Sequence, residues 1–467
     1  MIKFGTGGWR ELIGEGFTKS NVQLIAQAMC SFLDDTGIVI GYDRRFLSDS
    51  AAVWAAEVFA ANRKKVWFID RVAPTPLVMF TVQNKGISYG MAVTASHNPA
   101  KYNGIKVFAH GGKDADRNLT DRIEEEITRV KEVKSITFGE GLAKGYIEKI
   151  NPMNEYIDAI INQIDMESIR KAGLRLAIDP MFGVSRTALL NVLITARCDV
   201  AIINDRHDTL FGGRLPSPEA ATLHKLRDVV IENGYDLGIA TDGDADRIGI
   251  IDSKGNYVHP NMLLAILYYY LLKYKKQTGD VVRNVATTHI LDAIAKDFGQ
   301  QSHEVPVGFK NISAKMEETN ALVGGESSGG LTIRGHINGK DGIFAAALLV
   351  EIVAVSGKSL ADYWSEIENR YGKHYWVETS YGYSAEKRGE LMDILFKQKK
   401  LPEFEEKISR VSYEDGVKVY FENGDWVITR FSGTEPLIRV FSESSNKDTA
   451  EKYAKRFQEY LHLDQES

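Results

Sequence analysis

The sequence predicts an α/β protein with three similar βαβ-type domains, followed by a smaller C-terminal α+β domain. Three observations lead to this expectation: the chain has 467 residues, a strand-turn-helix-strand unit occurs three times, and a hairpin signal lies near the C-terminus. At about 150 residues per domain, this length accommodates roughly three or four domains.

The first strand-turn-helix-strand unit lies near the N-terminus. Residues 38–43 form a short apolar run that ends in Asp43, residues 51–62 have a helical pattern, and a second apolar run covers residues 66–69. Apolar runs without strict alternation are typical of strands that are buried on both faces. The unit therefore predicts a βαβ motif of roughly thirty residues.

Two further units repeat this pattern. The second has a strand predicted at 174–179, a helix at 186–195 and a strand at 200–203. The third is weaker, with a strand predicted at 284–288 and a helix at 291–298. The repetition predicts three related domains, although βαβ units are common and need not imply duplication.

The C-terminal part has a different pattern. Apolar runs at 417–421 and 426–429 flank an Asn-Gly pair, which supplies the positive φ that a tight hairpin turn needs. A strand at 437–441 and a closing helix at 447–461 follow. Strands that are adjacent in sequence and flanked by one helix predict a small antiparallel α+β domain.

We expect the domain boundaries near Asn151, Asp252 and Arg370. None of these positions lies in a low-complexity linker, so the domains are expected to pack closely against one another. The predicted domains are therefore 1–150, 151–252, 253–370 and 371–467.

Composition and charge indicate a soluble cytoplasmic protein that binds neither nucleic acid nor membranes. The net charge is −6, from 57 basic and 63 acidic residues, so the surface as a whole does not attract polyanions. Residues 262–272 are strongly apolar but too short for a membrane-spanning helix, and a buried amphipathic helix explains them better. The N-terminus has no signal-peptide pattern. Cys30 and Cys198 match no metal or redox spacing and are expected to be buried free thiols.

Three aspartates at alternate positions form the most informative cluster. Asp242, Asp244 and Asp246 follow an apolar run at 237–240 and precede another at 248–251. Carboxylates this close together need a counter-charge, and Mg2+ is the expected occupant. The alternative is a solvated acidic turn. A Ca2+-binding EF-hand is excluded, because its sixth position requires Gly and here holds Arg247.

A second polar cluster, Thr94 to Pro99, follows the apolar run 89–93. Open α/β sheets place ligands in loops at the ends of strands. The hydroxyl of Ser96 could be phosphorylated, and His97 could orient it or bind phosphate. Lys106, on the next strand, could serve as a cation or as a general base. Taken alone, Ser-His-Asn-Pro is more often an ordinary turn, since all four residue types favour turns.

A third, glycine-rich cluster covers residues 324–330. It contains a formal G-x-S-x-G around Ser327, but the nucleophile elbow of a serine hydrolase requires a helix directly after the serine. Residues 331–333 have the pattern of a strand, which disfavours that interpretation. Glu326 and Ser328 suit hydrogen bonding to sugar hydroxyls, and a plain glycine-rich hairpin is the alternative.

A fourth cluster has the composition of a phosphate cradle. Arg430 and Arg439 flank a loop that contains Ser432, Gly433 and Thr434. Hydroxyl groups, free N–H groups around a glycine and two guanidinium groups favour binding of phosphate over an ordinary strand connection. Near the N-terminus, residues 5–10 form another flexible loop that carries one cation, Arg10.

Together and in this order, the four clusters resemble the motifs of the α-D-phosphohexomutase superfamily, which includes phosphoglucomutases, phosphomannomutases and phosphoglucosamine mutases. Thr-Ala-Ser-His-Asn-Pro resembles its phosphoserine loop, and Asp-Gly-Asp-x-Asp-Arg its metal loop. Gly-Glu-x-Ser-Gly resembles its sugar loop, and Arg-x-Ser-Gly-Thr-Glu-Pro its phosphate loop. The resemblance extends over the whole chain, with one motif in each predicted domain.

The resemblance implies four domains around a central active-site cleft and a role for each motif. Ser96 would carry the phosphoryl group, and one of its phosphate oxygens would complete the Mg2+ sphere of Asp242, Asp244 and Asp246. The remaining roles fall into three groups: transition-state stabilisation or proton transfer by Arg10, His97, Lys106 and Arg247; sugar binding by Glu326, Ser328 and Lys310; and phosphate binding by Arg430, Ser432, Gly433, Thr434 and Arg439.

The implied reaction interconverts glucose 1-phosphate and glucose 6-phosphate through a phosphoserine and a bound glucose 1,6-bisphosphate. Gly330 stands where bifunctional phosphomannomutase/phosphoglucomutase and phosphoglucosamine members usually have His, and the run 307–310 is phosphoglucomutase-like; both favour glucose phosphates. Phe431 and Gly7 also depart from the common pattern. The alternatives are a phosphomannomutase, a phosphoglucosamine mutase, a hexose 1,6-bisphosphate synthase, or a non-catalytic sugar-phosphate sensor. The expected partners are small hexose phosphates, in a monomer or homodimer.

Overall fold

Four β-sheets, arranged one after another along the chain, form the framework of the protein. The computed structural model describes residues 2–5, 7–432 and 436–463, without the side chain of Ala385. Each sheet with its helices is called a domain below, numbered 1 to 4 in chain order.

Domain 1 contains a seven-stranded sheet in the order β1-β5-β4-β2-β3-β7, with β6 paired to β5. Its elements are β1 (Trp9–Leu12), α1 (Lys19–Met29), β2 (Ile38–Tyr42), α2 (Ser48–Ala61), β3 (Val66–Ile69), α3 (Thr75–Asn84), β4 (Tyr89–Val93), β5 (Tyr102–Ala109), β6 (Lys113–Asp114), α4 (Arg117–Arg129), α5 (Phe138–Ala143) and β7 (Ile147–Ile150).

Domain 2 contains a five-stranded sheet in the order β12-β11-β10-β8-β9. Its elements are α6 (Met153–Ile161), α7 (Met166–Ala172), β8 (Arg175–Asp179), α8 (Arg186–Thr195), β9 (Asp199–Ile202), a 3-10 turn (Phe211–Gly213), α9 (His224–Asn233), β10 (Leu237–Thr241), β11 (Ile248–Asp252) and β12 (Tyr257–Val258).

Domain 3 contains a four-stranded sheet in the order β14-β13-β15-β16. Its elements are α10 (Pro260–Lys273), β13 (Val281–Asn284), α11 (Ile290–Asp297), β14 (Ser302–Val305), α12 (Phe309–Thr319), β15 (Val323–Gly325), β16 (Leu331–Ile333), α13 (Gly342–Ser356) and α14 (Leu360–Tyr371).

Domain 4 contains a fully antiparallel five-stranded sheet in the order β17-β21-β20-β19-β18. Its elements are β17 (Tyr375–Gly382), α15 (Ala385–Met392), a π-helical turn (Asp393–Lys397), β18 (Ile408–Ser412), β19 (Val417–Phe421), β20 (Trp426–Phe431), β21 (Leu437–Ser444) and α16 (Lys447–Tyr460). The prediction of a small antiparallel α+β domain is confirmed. The exact boundaries near Asn151, Asp252 and Arg370 stay predictions.

The first three sheets share one four-stranded core. In each, the first strand lies between the second and third as parallel neighbours, and a fourth strand pairs with the third in antiparallel fashion. These sets of strands are β2 to β5, β8 to β11 and β13 to β16. The turn between the third and fourth strand therefore occupies the same place in all three domains.

One predicted strand is wrong. The strand expected at 284–288 is instead β13, which ends at Asn284. The side chain of Asn284 accepts hydrogen bonds from the Ala286 N–H at 2.9 Å and the Thr287 hydroxyl at 2.8 Å, which closes a turn. Asn commonly ends a strand in this way, because its side chain competes for the backbone donors that follow it.

A continuous apolar core joins domains 1 to 3, and α10 and α13 lie inside it. From Leu263 to Leu272 every residue of α10 is buried, so this helix is enclosed on all sides rather than amphipathic as predicted. Among the described residues, no single helix has the length and apolarity to cross a membrane. In the part of the chain that the structure describes, only α13 and α14 counted together reach that length, across a bend of 79°.

The two cysteines form no disulfide with each other. Cys198 is buried as predicted, but Cys30 at the end of α1 is only half-buried. Burial raises the pKa of the Cys198 thiol to about 11, so it stays protonated and unreactive at neutral pH.

Candidate active site

The Ser96 loop joins β4 to β5 and has a constrained backbone. Ser96 has φ of 52°, in the left-handed region that a side-chain-bearing residue adopts only when its surroundings enforce it. The Thr94 hydroxyl accepts the Ser96 N–H at 2.8 Å, and buried Arg45 donates to the Ser96 and Asn98 carbonyl oxygens at 2.6 Å each. Arg45 therefore supports the turn that presents Ser96, although it was not among the predicted site residues.

The three aspartates lie in the equivalent turn of domain 2, between β10 and β11. Asp242, Asp244 and Asp246 are all buried, and one carboxylate oxygen of each lies within 4.8 Å of the others. Oδ1 of Asp244 and Oδ1 of Asp246 are buried without a hydrogen-bond partner in the described part of the chain. A cluster of oxygen donors with unsatisfied lone pairs fits a hard divalent cation such as Mg2+.

The two turns are in direct contact. The Ser96 hydroxyl donates a hydrogen bond of 2.6 Å to Asp242 Oδ2, and both groups are buried. Gly243 makes this approach possible, because a Cβ at that position would lie 2.7 Å from the Ser96 carbonyl oxygen. The structure thus places the predicted carrier serine against the predicted metal ligands.

Two lysines compensate the charge of the aspartates. Lys106 Nζ lies 2.6 Å from both Asp244 Oδ2 and Asp246 Oδ2, and Lys340 Nζ of domain 3 lies 2.7 Å from Asp246 Oδ2. Burial lowers the pKa of Lys106, but the two carboxylates outweigh it and raise the pKa overall. Lys106 is therefore protonated, which suits the predicted role of a cation and not that of a general base. Lys340 was not among the predicted site residues.

Burial and the neighbouring carboxylates Asp244 and Asp246 raise the pKa of Asp242. Thr75, at the start of α3, assists the cluster: its hydroxyl donates to Asp244 Oδ2 at 2.6 Å. Domains 1, 2 and 3 therefore each contribute polar groups to one buried centre.

Arg10, His97 and Arg247 lie around the same centre. Nη1 of Arg10 donates to the Asn98 side chain, and the Arg247 N–H donates to Asp242 Oδ1 at 3.0 Å. Nε of Arg10 and Nε of Arg247 are buried without a hydrogen-bond partner among the residues the structure covers. Two guanidinium groups with unused buried donors suit a phosphate group.

His97 lies directly beside the Ser96 hydroxyl. Its Nδ1 is 3.3 Å from Ser96 Oγ. Burial, and then the positive charges of Arg247 and Arg10, hold the pKa of His97 well below its usual value. The imidazole is therefore neutral near pH 7 and is able to accept or donate a proton at that oxygen.

The glycine-rich loop lies between β15 and β16, in the third equivalent turn. Glu326 Oε1 accepts from the Asn284 side-chain amide at 3.0 Å and from the Gly308 N–H at 2.9 Å. Ser328 is exposed. Strand β16 follows Ser327 after three residues, so no helix follows this serine and the nucleophile-elbow interpretation is wrong. The loop also abuts the metal loop, since the Ile248 N–H donates to the Gly329 carbonyl at 3.4 Å.

Lys310, the second residue of α12, faces the same region. Together with Lys106, Asp114 and Gly7 it lines a small cavity of about 20 Å³ between domains 1 and 3. Lys310 was predicted as a site residue from the run 307–310, whereas Asp114 was not predicted. Burial raises the pKa of Asp114, whereas Lys340 and Lys106 lower it.

The predicted phosphate cradle lies at the ends of β20 and β21 in domain 4. Arg430 stands directly opposite Arg439 in the register of the two strands. Asp415 accepts from Arg430 Nη2 at 3.3 Å, and Glu378 lies 3.8 Å from Arg439 Nη1. Like charges opposite each other destabilise a strand pair, so the pairing suits an anionic ligand between them. The Ser432 N–H donates to the Leu437 carbonyl at 2.7 Å, and Gly433 and Thr434 lie outside the described residues.

Comparison with known proteins gives the same picture for the whole chain. Four family models match in order: phosphoglucomutase/phosphomannomutase alpha/beta/alpha domain I at residues 1–134, domain II at 154–255, domain III at 259–371, and the C-terminal domain at 386–459.

Similar full-length proteins have names of one reaction type. The chain is 30% identical to a phosphoglucomutase/phosphomannomutase of Thermococcus kodakarensis, with 96% of each chain covered. It is 29% identical to a phosphoglucosamine/phosphogalactosamine mutase of Sulfurisphaera tokodaii, again with 96% of each covered. A crystal structure of a putative phosphomannomutase from Thermus thermophilus matches with a TM-score of 0.86, 28% identity and 99% of each chain covered.

Proposed function

The chain belongs to the phosphoglucomutase/phosphomannomutase family, a group of isomerases that move phosphoryl groups, and we propose that it interconverts glucose 1-phosphate and glucose 6-phosphate through a phosphorylated Ser96. The observation that carries the proposal is the 2.6 Å hydrogen bond from Ser96 to Asp242 inside a buried cluster of carboxylates and cations.

Charge and position are the main requirements of phosphoryl transfer. Mg2+, held by Asp242, Asp244 and Asp246, would supply neutralisation of the phosphoryl charge. The side chains themselves provide further positive charge around Ser96: Lys106, Lys340, Arg10 and Arg247 surround the carboxylate cluster.

In the first half of the reaction the bond from phosphorus to Ser96 Oγ breaks, and a bond from phosphorus to the free hydroxyl of the sugar phosphate forms. The proton that the sugar hydroxyl loses balances the proton that Ser96 Oγ gains. Neutral His97, whose Nδ1 is 3.3 Å from Ser96 Oγ, is placed to transfer a proton to that oxygen. The product of this half-reaction is a bound glucose 1,6-bisphosphate.

The second half returns the other phosphate of the bisphosphate to Ser96. The intermediate turns round within the site, so one cradle must hold either phosphate and one loop must hold either face of the sugar. Arg430, Ser432, Gly433, Thr434 and Arg439 are proposed for the phosphate, and Glu326, Ser328 and Lys310 for the sugar. Both sets serve the ligand in either orientation.

The choice of glucose rests on residues in the third domain. Gly330 replaces the bulky His of other members, and a Cβ at Gly330 would lie 2.5 Å from Lys340 Cδ, so the space beside that lysine depends on glycine. A phosphoglucosamine mutase is the second candidate, since one of the similar full-length proteins has that activity in its name.

A coupled assay over several sugars tests the proposal. Purified protein with Mg2+ and a trace of glucose 1,6-bisphosphate is given glucose 1-phosphate, mannose 1-phosphate or glucosamine 6-phosphate. The highest kcat/KM is expected for glucose 1-phosphate, and intact mass should show one phosphate that sugar phosphate removes. Preference for glucosamine 6-phosphate would identify the protein as a phosphoglucosamine mutase. Accumulation of the bisphosphate would identify a synthase. If no sugar phosphate is turned over, the protein is a binding protein.

A further inference from the structure

Asp415 joins two domains at the edge of the candidate site. It lies in the turn between β18 and β19 of domain 4. One carboxylate oxygen, Oδ1, accepts from Arg430 Nη2 at 3.3 Å, and the other, Oδ2, accepts from the Val307 N–H of domain 3 at 2.7 Å. The carboxylate therefore holds a guanidinium of the phosphate cradle against the backbone of a different domain.

The next backbone N–H on that segment donates to the sugar loop. Gly308 N–H reaches Glu326 Oε1 at 2.9 Å. The consecutive N–H groups of Val307 and Gly308 thus bind two carboxylates, one beside the phosphate cradle and one in the sugar loop. Gly308, which follows Val307 directly, has φ of 122°, a conformation that favours glycine.

These contacts form a short relay from Arg430 through Asp415 and residues 307–308 to Glu326. A peptide unit is rigid, and charge-assisted hydrogen bonds are directional, so the relay restricts the separation of the guanidinium from the sugar-loop carboxylate. A long arginine side chain otherwise loses rotamer entropy when a ligand immobilises it.

We propose that Asp415 is a positioning residue that presents Arg430 to the substrate phosphate at a fixed distance from the sugar loop. The inference rests on the proposed function, because a mutase that binds its sugar phosphate in two orientations needs this distance to be the same in both. In this proposal Asp415 acts through Arg430 and not through a contact of its own with the ligand.

Domain 4 also contacts domain 3 through residues other than Asp415. Lys418, buried on β19, donates to the Val285 carbonyl at 2.6 Å and to Glu304 Oε2 at 2.7 Å. Glu443 on β21 accepts from the His289 N–H at 3.1 Å. The Asp415 side chain keeps 21% of its exposed surface, so its replacement is expected to leave the packing intact.

A double-mutant cycle tests whether Asp415 acts through Arg430. Binding of glucose 6-phosphate is measured by calorimetry on full-length protein that carries Ser96→Ala, so that no transfer occurs. Asp415→Ala should weaken binding about tenfold, which corresponds to about 1.4 kcal/mol. Arg430→Ala should weaken it further, and the double variant should bind no more weakly than Arg430→Ala alone. Multiplicative losses in the double variant, or an unchanged Kd for Asp415→Ala, would overturn the proposal.

Two further variants separate positioning from a structural role. Asp415→Asn keeps an acceptor for the Val307 N–H and should recover part of the affinity with an unchanged melting temperature. Glu378→Gln removes the carboxylate beside the other arginine, without a contact to residues 307–308, and serves as the matched comparison. It should change the Kd by less than Asp415→Ala does.

Kinetic constants of the variants with Ser96 intact give the second readout. A positioning role raises KM while kcat falls less than about threefold, because the lost interaction is made in the ground state as well. Equal losses of kcat and melting temperature would indicate a structural role and overturn the inference. If wild-type protein binds no hexose phosphate, the proposed function fails instead, and titration of inorganic phosphate into the same variants still tests the link from Asp415 to Arg430.

Discussion

Ser96 Oγ lies 2.6 Å from Asp242 Oδ2, although 146 positions separate the two residues in the chain. Each belongs to a turn after the third core strand of its own domain, so the contact exists only when domains 1 and 2 are packed together. A serine held against a carboxylate cluster has no evident structural need, because the carboxylates are costly to bury. The relationship therefore links the packing of two domains to the proposed chemistry.

Ser96→Ala should abolish turnover while substrate binding persists. The phosphoryl carrier is lost, so kcat should fall by about 10⁴-fold or more. A coupled mutase assay and calorimetry with glucose 6-phosphate measure the two effects. Ser327→Ala is the control, and near-normal activity of Ser96→Ala would remove this serine from the mechanism.

Asp244→Asn should weaken Mg2+ binding and activity together. Even outer partners of metal ligands contribute about 10–100-fold to affinity, so loss of a direct ligand should cost at least as much. The Mg2+-dependent rise in melting temperature provides a readout that does not depend on turnover. Asp228→Asn, at an exposed position of α9, should keep the full rise. An equal rise in Asp244→Asn would contradict the metal site.

Lys340→Met should destabilise the protein and reduce activity. Removal of one partner from a buried ion pair costs about 3–5 kcal/mol, but Lys106 still contacts Asp246, so we expect about 1–3 kcal/mol. Chemical denaturation with and without Mg2+ measures the loss, which should be smaller when Mg2+ is present. Lys113→Met removes a lysine from the half-exposed pair with Glu317 and should change little.

Arg430→Ala should raise KM more than it lowers kcat. A hydrogen bond to a charged group contributes about 1.5–3 kcal/mol, so KM for glucose 1-phosphate should rise about 10–100-fold. Steady-state kinetics over a range of substrate concentrations separates the two constants. Arg410→Ala, a largely exposed arginine of the same domain, provides the comparison. An unchanged KM would exclude Arg430 from the cradle.

Acid should destabilise the boundary between domains 3 and 4 through His259, whose ring stacks on Trp376 at 5.0 Å. Burial lowers the pKa of His259 to about 4, although Glu443 acts in the opposite direction. Between about pH 6.5 and 4 the unfolded chain binds a proton that the folded protein excludes, so the free energy of unfolding falls by at most about 3 kcal/mol as pH decreases.

His259→Asn tests this pH dependence, since Asn retains an acceptor for the start of α10. Melting temperatures at pH 7.5 and pH 5 should differ less in this variant than in the wild type. His224→Asn replaces an exposed histidine and should keep the wild-type difference. The same pH dependence in His259→Asn and wild type would reject the assignment.

Local sequence patterns were enough to predict most of the fold. Residues 38–43, 66–69 and 417–421 are short apolar runs that are followed by polar residues, and the structure has strands at these places. The prediction of a strand at 284–288 is wrong because the side chain of Asn284 accepts a hydrogen bond from the Ala286 N–H, which turns the backbone after Asn284. Side-chain competition of this kind depends on a rotamer, which a pattern of apolar residues does not encode.

The motifs of the candidate site could also be predicted from the sequence, because their combination of residue types is unusual within one short segment. Lys340 and Arg45 could not be predicted in this way. Lys340 is 94 positions after Asp246, and Arg45 reaches the Ser96 loop from an earlier turn, so neither carries a local signal of its role. Asp415 was missed for the same reason. Residues that lie outside the motifs and act through contacts distant in sequence become recognisable only when tertiary contacts are known.

The shared four-stranded core of domains 1 to 3 has a consequence for fragments of this chain. The centre is assembled from all three domains: Ser96 and Lys106 come from domain 1, the three aspartates from domain 2, and Lys340 from domain 3. An isolated domain, even if it folded correctly, would hold only part of the active centre and would be inactive. Proteolysis between any two sheets, followed by separation of the pieces, should therefore extinguish activity even when every piece keeps its native secondary structure.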